Sequence, residues 1–178
     1  NVAIAIWDWP TYFNSELKLK GIKLNISKWQ RPPQNSSPWE SKAAGLYMIC
    51  TLSKHQAEKD GYTDSLMLDH EGNIAEATGA NIFFKNSAGE LHTPTPDSFL
   101  DGITRRCVIE IAKSKGIKVH ERKISPSELS NFVGCFLTGT AAEVTPVSCI
   151  AENNFKVCEI IIDLNESYQA LVRKKIAA

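Results

Sequence analysis

The chain has 178 residues, 43% of them hydrophobic, and its 20 basic side chains balance 20 acidic ones. That length fits one domain and is enough to bury roughly 70% of the unfolded surface. Zero net charge argues against nucleic acid or an anionic membrane surface, both of which favour basic patches, and no apolar run approaches the ~20 residues that cross a bilayer.

In chain order, residues 2–7 (Val2 to Trp7) read as a fully buried strand. Its place at the very start predicts that an N-terminal portion of a longer protein precedes it. Residues 12–39 are mixed: 21–26 alternate at period two and predict a strand, and the proline-rich stretch 32–38 predicts a loop. Residues 43–59 predict a helix with Ala43, Leu46, Tyr47, Cys50 and Leu52 inward and Gly61 as its stop. Lys42 therefore falls at a loop-to-helix junction.

Residues 65–68 and 81–84 predict strands, with the turn 70–73 leading into 74–76 and the turn 86–89 closing a second hairpin. A helix is predicted over 103–114, with Cys107, Val108, Ile111 and Ala112 inward and Gly116 as its cap. Ile117, Val119 and Glu121 alternate as a strand. Ser125-Pro126-Ser127-Glu128 has the form of a capping box that opens a short helix. Residues 135–138 predict a buried strand running into a Gly139 turn, 147–151 another strand, and 159–174 an amphipathic helix. Interspersed helices, strands and hairpins predict an α/β fold with a mixed sheet.

Five scattered cysteines (Cys50, Cys107, Cys135, Cys149, Cys158) have no paired spacing suited to zinc. They read as buried thiols in a reducing compartment, and the cytoplasm is the expected location. His55, His70, His92 and His120 are dispersed and read as surface or turn residues, with no metal. Arg31, Arg105 and Arg106 read as structural ion pairs.

Four segments carry candidate chemistry. Lys42 is followed by Ala43, Ala44, Gly45 and Leu46, small or apolar residues that let a planar ring approach the backbone; a desolvated lysine amine can attack an aldehyde. Glu76 lies between Ala75 and Ala77, a poor setting for a solvated acid and a suitable one for a carboxylate beside a pyridinium nitrogen. Gly102-Ile103-Thr104 opens a helix whose free N–H groups attract a phosphate dianion. Gly139-Thr140-Ala141-Ala142 follows a buried strand and offers a hydroxyl and turn amides. Each segment alone has an ordinary explanation: a solvated lysine, a surface acid, a helix cap, a strand-to-helix turn. An amine, an acid and two anion-binding turns together fit pyridoxal 5'-phosphate.

The order of these segments resembles the class IV aminotransferases, pyridoxal-phosphate enzymes of fold type IV, over about residues 2–146. The wording Lys42-Ala43-Ala44-Gly45-Leu46-Tyr47, Gly102-Ile103-Thr104-Arg105 and Gly139-Thr140-Ala141-Ala142-Glu143-Val144-Thr145-Pro146 is most similar to the branched-chain amino acid aminotransferases. The resemblance implies a large cofactor-binding domain over 1–178, built as a mixed sheet or pseudo-barrel with surrounding helices, and transamination of Leu, Ile and Val with 2-oxoglutarate. It implies Lys42 as the Schiff-base lysine and acid/base, Tyr47 on the cofactor's phenolate oxygen and Glu76 on its ring nitrogen. Gly102, Ile103, Thr104 and Thr140 would bind phosphate, and Thr140 and Ala141 the substrate carboxylate.

The family's small N-terminal domain, which supplies an arginine to the phosphate and side chains to the substrate pocket, has no counterpart here; a charge-assisted contact of that kind contributes about 1.5–3 kcal/mol. The chain alone is therefore expected to fold but to turn over poorly. A homodimer or hexamer is implied for the full-length protein. Alternatives on the same fold are a D-amino acid aminotransferase and an aminodeoxychorismate lyase; a non-catalytic domain is the alternative from another class. After Pro146 the likeness fades at residues 153–156.

Overall fold

The computed structural model describes residues 2–8 and 20–173. Its strands are β1 (Ile22–Gln30), β2 (Asp64–Leu68), β3 (Ile74–Ala77), β4 (Asn81–Asn86), β5 (Leu91–Thr93), β6 (Val119–Glu121), β7 (Phe132–Gly139), β8 (Glu143–Ile150) and β9 (Asn153–Asn154). They form one curled sheet in the order β3-β2-β1-β8-β7-β4-β5-β6, with β9 paired to β8. The pairing is mixed, as the interspersed elements predict: β1 runs parallel to β2 and β8, and β5 parallel to β6, while the other pairs are antiparallel. The helices are α1 (Met48–Lys59), α2 (Ile103–Ser114) and α3 (Glu159–Val172).

The centre of the sheet is β4 against β7, in register from Asn81↔Thr138 to Phe84↔Cys135. Ile82 to Phe84 and Cys135 to Leu137 are apolar throughout because both faces are covered there, and successive side chains leave on opposite sides. Phe83 stacks on Phe136 (centroids 5.0 Å apart) in the core beneath α2 and α3. Phe84 points the other way and stacks on Phe132 at 4.9 Å, in the core that also holds Ile22, Leu66 and Ile82.

Most predicted elements form with shifted ends. α2 spans the predicted residues, and Gly116 follows it at φ 73°. Ser125 and Glu128 form the reciprocal capping box, but the turn it opens, Pro126–Asn131, is 3-10 rather than α. The predicted helix over 43–59 is a 3-10 turn, Ala44–Tyr47, that continues as α1, and Leu52 on its predicted inner face is 46% exposed. β7 runs through Gly139 and β8 begins at Glu143, so Thr140 to Ala142 is a hairpin turn and not a strand-to-helix connection. Position 174, the predicted end of the last helix, and residues 9–19 lie outside the described residues.

One strand expectation fails. Among the described residues, 2–7 form no strand, and Val2 and Ile6 are 97% and 93% exposed. An apolar run marks a surface that favours burial; it does not name the partner, and here the interior positions of the sheet are filled by β1, β2, β8, β7, β4 and β5.

Candidate active site

Four segments meet around a cavity of about 230 Å³. The loop after β1 brings Lys42 and Tyr47, the end of β3 brings Glu76, the start of α2 brings Gly102, Ile103 and Thr104, and the β7–β8 turn brings Gly139 and Thr140. All four candidate segments therefore border the same space. Ala141 is exposed on the turn and does not line it. Lys42 is exposed, just ahead of the 3-10 turn, and lines the cavity.

Glu76 is a buried acid on β3, where cross-strand pairing opposite Met67 fixes its backbone. Burial pushes its pKa up to about 8, against the pull of the Arg31 guanidinium. Arg31 Nε lies 3.5 Å from Glu76 Oε1, and both side chains are largely out of solvent. Burial, and next the Glu76 carboxyl, also raise the Tyr47 phenol above its ordinary value, so Tyr47 is a hydrogen-bond donor at neutral pH. Cys50, one turn along α1, is raised for the same two reasons and accepts from Arg31 Nη1 at 3.4 Å.

The anion-binding end is built from backbone. α2 begins at Gly102 with no side-chain cap, which leaves the first N–H groups and the positive end of the helix dipole directed at the cavity. Asn81 sets this turn: its Nδ2 donates to Leu100 O at 2.8 Å and its Oδ1 accepts from Gly102 N at 3.2 Å. A side chain at position 102 would run into that Oδ1, which is why the residue is glycine. The Thr104 hydroxyl shares a hydrogen bond with Tyr168 OH at 3.2 Å, with either oxygen able to donate. Thr138, 1% exposed, lines the cavity with a hydroxyl that has no partner among the described residues. An orphaned buried hydroxyl, an uncapped helix start, a buried acid and a lysine on one wall fit a phosphorylated pyridine aldehyde.

Three features escaped the sequence. Arg31 is 4% exposed and belongs to the site, because β1 and β2 pair in parallel and Arg31 N donates to Leu68 O. Thr78, also on the cavity wall, donates to the buried Asp64 carboxyl, whose pKa burial raises. His92 and His120 are neither turn residues nor dispersed: they face each other across β5 and β6 with rings stacked 4.7 Å apart, beside Glu90. That trio is poorly suited to a cation. Both His92 nitrogens face N–H donors, Arg122 Nε and Asn86 Nδ2, each at 3.2 Å, and Lys118 pairs with Glu90. Arg105, by contrast, is structural as expected: 1% exposed, it bonds Asp101, Glu121, Thr93 and the Pro94 carbonyl.

Known proteins are similar to this one over most of the chain. The probable branched-chain-amino-acid aminotransferase of Rickettsia conorii is 43% identical over 159 residues, covering 87% of this chain and 54% of its own length. The branched-chain-amino-acid aminotransferase of Escherichia coli K12 is 36% identical over 150 residues, covering 84% and 48%. Among solved structures, the branched-chain aminotransferase of the thermophilic archaeon Thermoproteus uzoniensis, with norvaline, superposes with a TM-score of 0.84 at 35% identity, over 90% of this chain and 54% of that one. The chain thus spans about half the length of the relatives it matches. A model of the amino-transferase class IV family matches residues 2–150, and this chain belongs to that family.

Proposed function

We propose that the full-length protein binds pyridoxal 5'-phosphate and transfers the amino group of branched-chain L-amino acids to 2-oxoglutarate. The observation that carries this reading is the convergence of Lys42, Glu76, the uncapped start of α2 and the Gly139–Thr140 turn on one cavity. The names of the relatives support the substrate class, and solved branched-chain amino acid aminotransferases of this fold hold pyridoxamine 5'-phosphate or N-(5'-phosphopyridoxyl)-L-glutamate.

When bound, the cofactor supplies an electron sink that stabilises negative charge on a substrate carbon. The chain's residues hold and orient it. Lys42 is the amine that would hold the aldehyde and, once released from it, would move a proton to and from the substrate. Glu76 would hold the ring nitrogen, and Tyr47 the phenolate oxygen. Gly102 donates its N–H to Asn81 and turns the chain into α2, so the N–H groups of Ile103 and Thr104, with Thr140, would take the phosphate. Thr140 and Ala141 receive the substrate carboxylate through the turn amides. Ala141 lies off the cavity wall, and its amide is the next one along the turn from Thr140, which lines it.

Among the described residues no helix is long and apolar enough to cross a membrane. Residence in the cytoplasm and assembly into a homodimer or hexamer complete the proposal. The test is an amino-transfer assay of the full-length protein with leucine, D-alanine and aminodeoxychorismate. Turnover of leucine with 2-oxoglutarate is expected. Turnover confined to either of the others would replace the substrate assignment.

A further inference from the structure

We propose that Arg31 is a positioning residue of this site: its guanidinium ties the lysine-bearing loop, the Glu76 carboxyl and the approach to Gly102 into one unit, so that Glu76 meets the cofactor's ring nitrogen as an anion. The cofactor half of this statement rests on the function proposed above; the coupling of Arg31 to Glu76 does not.

Arg31 follows β1 and is held there by its own N–H, which donates to Leu68 O at 2.7 Å. From that anchor its side chain reaches three separate segments. Nη1 donates to the Leu46 carbonyl at 3.3 Å, within the 3-10 turn that carries Tyr47, and to Cys50 Sγ at 3.4 Å. Nε donates to the Ser98 carbonyl at 3.2 Å, on the loop that enters α2. The same Nε stands 3.5 Å from Glu76 Oε1. Each of these partners belongs to a segment that supplies a cofactor contact.

The charge balance gives the arrangement its purpose. A guanidinium has only donors, and carbonyls or a thiol orient it without neutralising it. A buried charge needs an opposite charge, and Glu76 is the carboxylate that Arg31 pairs with. In return, the fixed cation lowers the proton affinity of an acid that burial drives the other way. A carboxyl beside a pyridine nitrogen competes with it for one proton. A neighbouring cation, held on the far side by backbone carbonyls, tilts that competition toward carboxylate and protonated ring. A lysine, with one compact charge, cannot reach the three segments at once, so the planar fork matters as well as the sign.

The test uses the full-length protein, first stripped of cofactor and then titrated with pyridoxal 5'-phosphate. Carbon-13 NMR of the glutamate carboxyls, with Glu76→Gln to assign the signal, follows Glu76 against pH. The expected midpoint is near 8 in the parent protein; Arg31→Met moves it up by roughly one pH unit or more, and Arg31→Lys restores part of the shift. In the second arm Arg31→Met weakens pyridoxal 5'-phosphate binding by roughly tenfold and alters the pH dependence of the bound cofactor's visible band, while Arg31→Lys recovers affinity only in part. If Arg31→Met fails to fold, Arg31→Lys carries both arms. A Glu76 midpoint that ignores Arg31, with cofactor uptake intact, overturns the positioning role alone. A parent protein that takes up no cofactor overturns the proposed function and the cofactor half of this inference, and leaves the carboxyl midpoint to decide the ion pair.

Discussion

Asn81 holds Gly102 in place: one amide group, at the first residue of β4, binds the Leu100 carbonyl with its nitrogen and the Gly102 N–H with its oxygen. The sheet thereby fixes the direction in which α2 presents its free N–H groups. Asn81→Ala removes both bonds and leaves a part-buried donor and acceptor unpaired, at a cost of about 1–3 kcal/mol. Gly102→Ala collides with the Asn81 carboxamide oxygen. Both variants are expected to lose pyridoxal 5'-phosphate affinity by roughly tenfold or more, read by equilibrium titration of the visible absorbance.

Glu76 makes the cofactor-free protein pH-sensitive. Its folded pKa, about 8, lies above the ordinary value of 4.5, so the folded state holds a proton that the unfolded state releases between those pH values. The folded state binds more protons there, and stability falls as pH rises from 4.5 toward 8. The loss is on the order of 3–5 kcal/mol at most. Glu76→Gln carries no titrating proton, so this part of the slope is absent. Unfolding midpoints measured from pH 5 to pH 9 check the sign: the parent declines across that window more steeply than the variant.

Thr138→Val should separate stability from function. The hydroxyl is buried in the cavity wall without a partner among the described residues, and replacing an unsatisfied hydroxyl by a methyl of the same shape is neutral or stabilising by about 1 kcal/mol. Denaturant unfolding of the cofactor-free protein reads that gain. Cofactor affinity moves the opposite way, falling several-fold if the hydroxyl donates to the bound group, and a binding titration on the same sample reads it.

Arg105→Leu tests the scaffold behind the phosphate turn. Asp101 and Glu121, its carboxylate partners, are part-exposed and can be rehydrated, whereas the Pro94 carbonyl and the Thr93 hydroxyl stay buried. The expected cost is about 2–4 kcal/mol, seen as a lower urea midpoint.

What the sequence reveals of this protein follows the range of its interactions. The ends of α2 are legible because Gly102 and Gly116 bracket a run of helical period, and the capping box at Ser125 is legible because both halves sit within one turn. Phe83 and Phe84 read as strand because both faces of β4 are covered. The four candidate segments are legible as motifs, and their meeting in one cavity follows from a topology that no single motif contains. Arg31 and Glu76 are far apart in the chain and become neighbours through the parallel pairing of β1 with β2 and the antiparallel pairing of β2 with β3. His92 and His120 meet by the parallel pairing of β5 with β6. Residues 2–7 carry the composition of a buried strand, but composition does not say which surface covers them.

The central claim is that Lys42 is the amine that takes the cofactor. The full-length protein is loaded with pyridoxal 5'-phosphate, reduced with borohydride, digested, and the modified peptide identified by mass spectrometry. The account predicts a single pyridoxyl group on Lys42, lost in Lys42→Ala. A pyridoxyl group fixed on another lysine, with Lys42 unmodified, would contradict it.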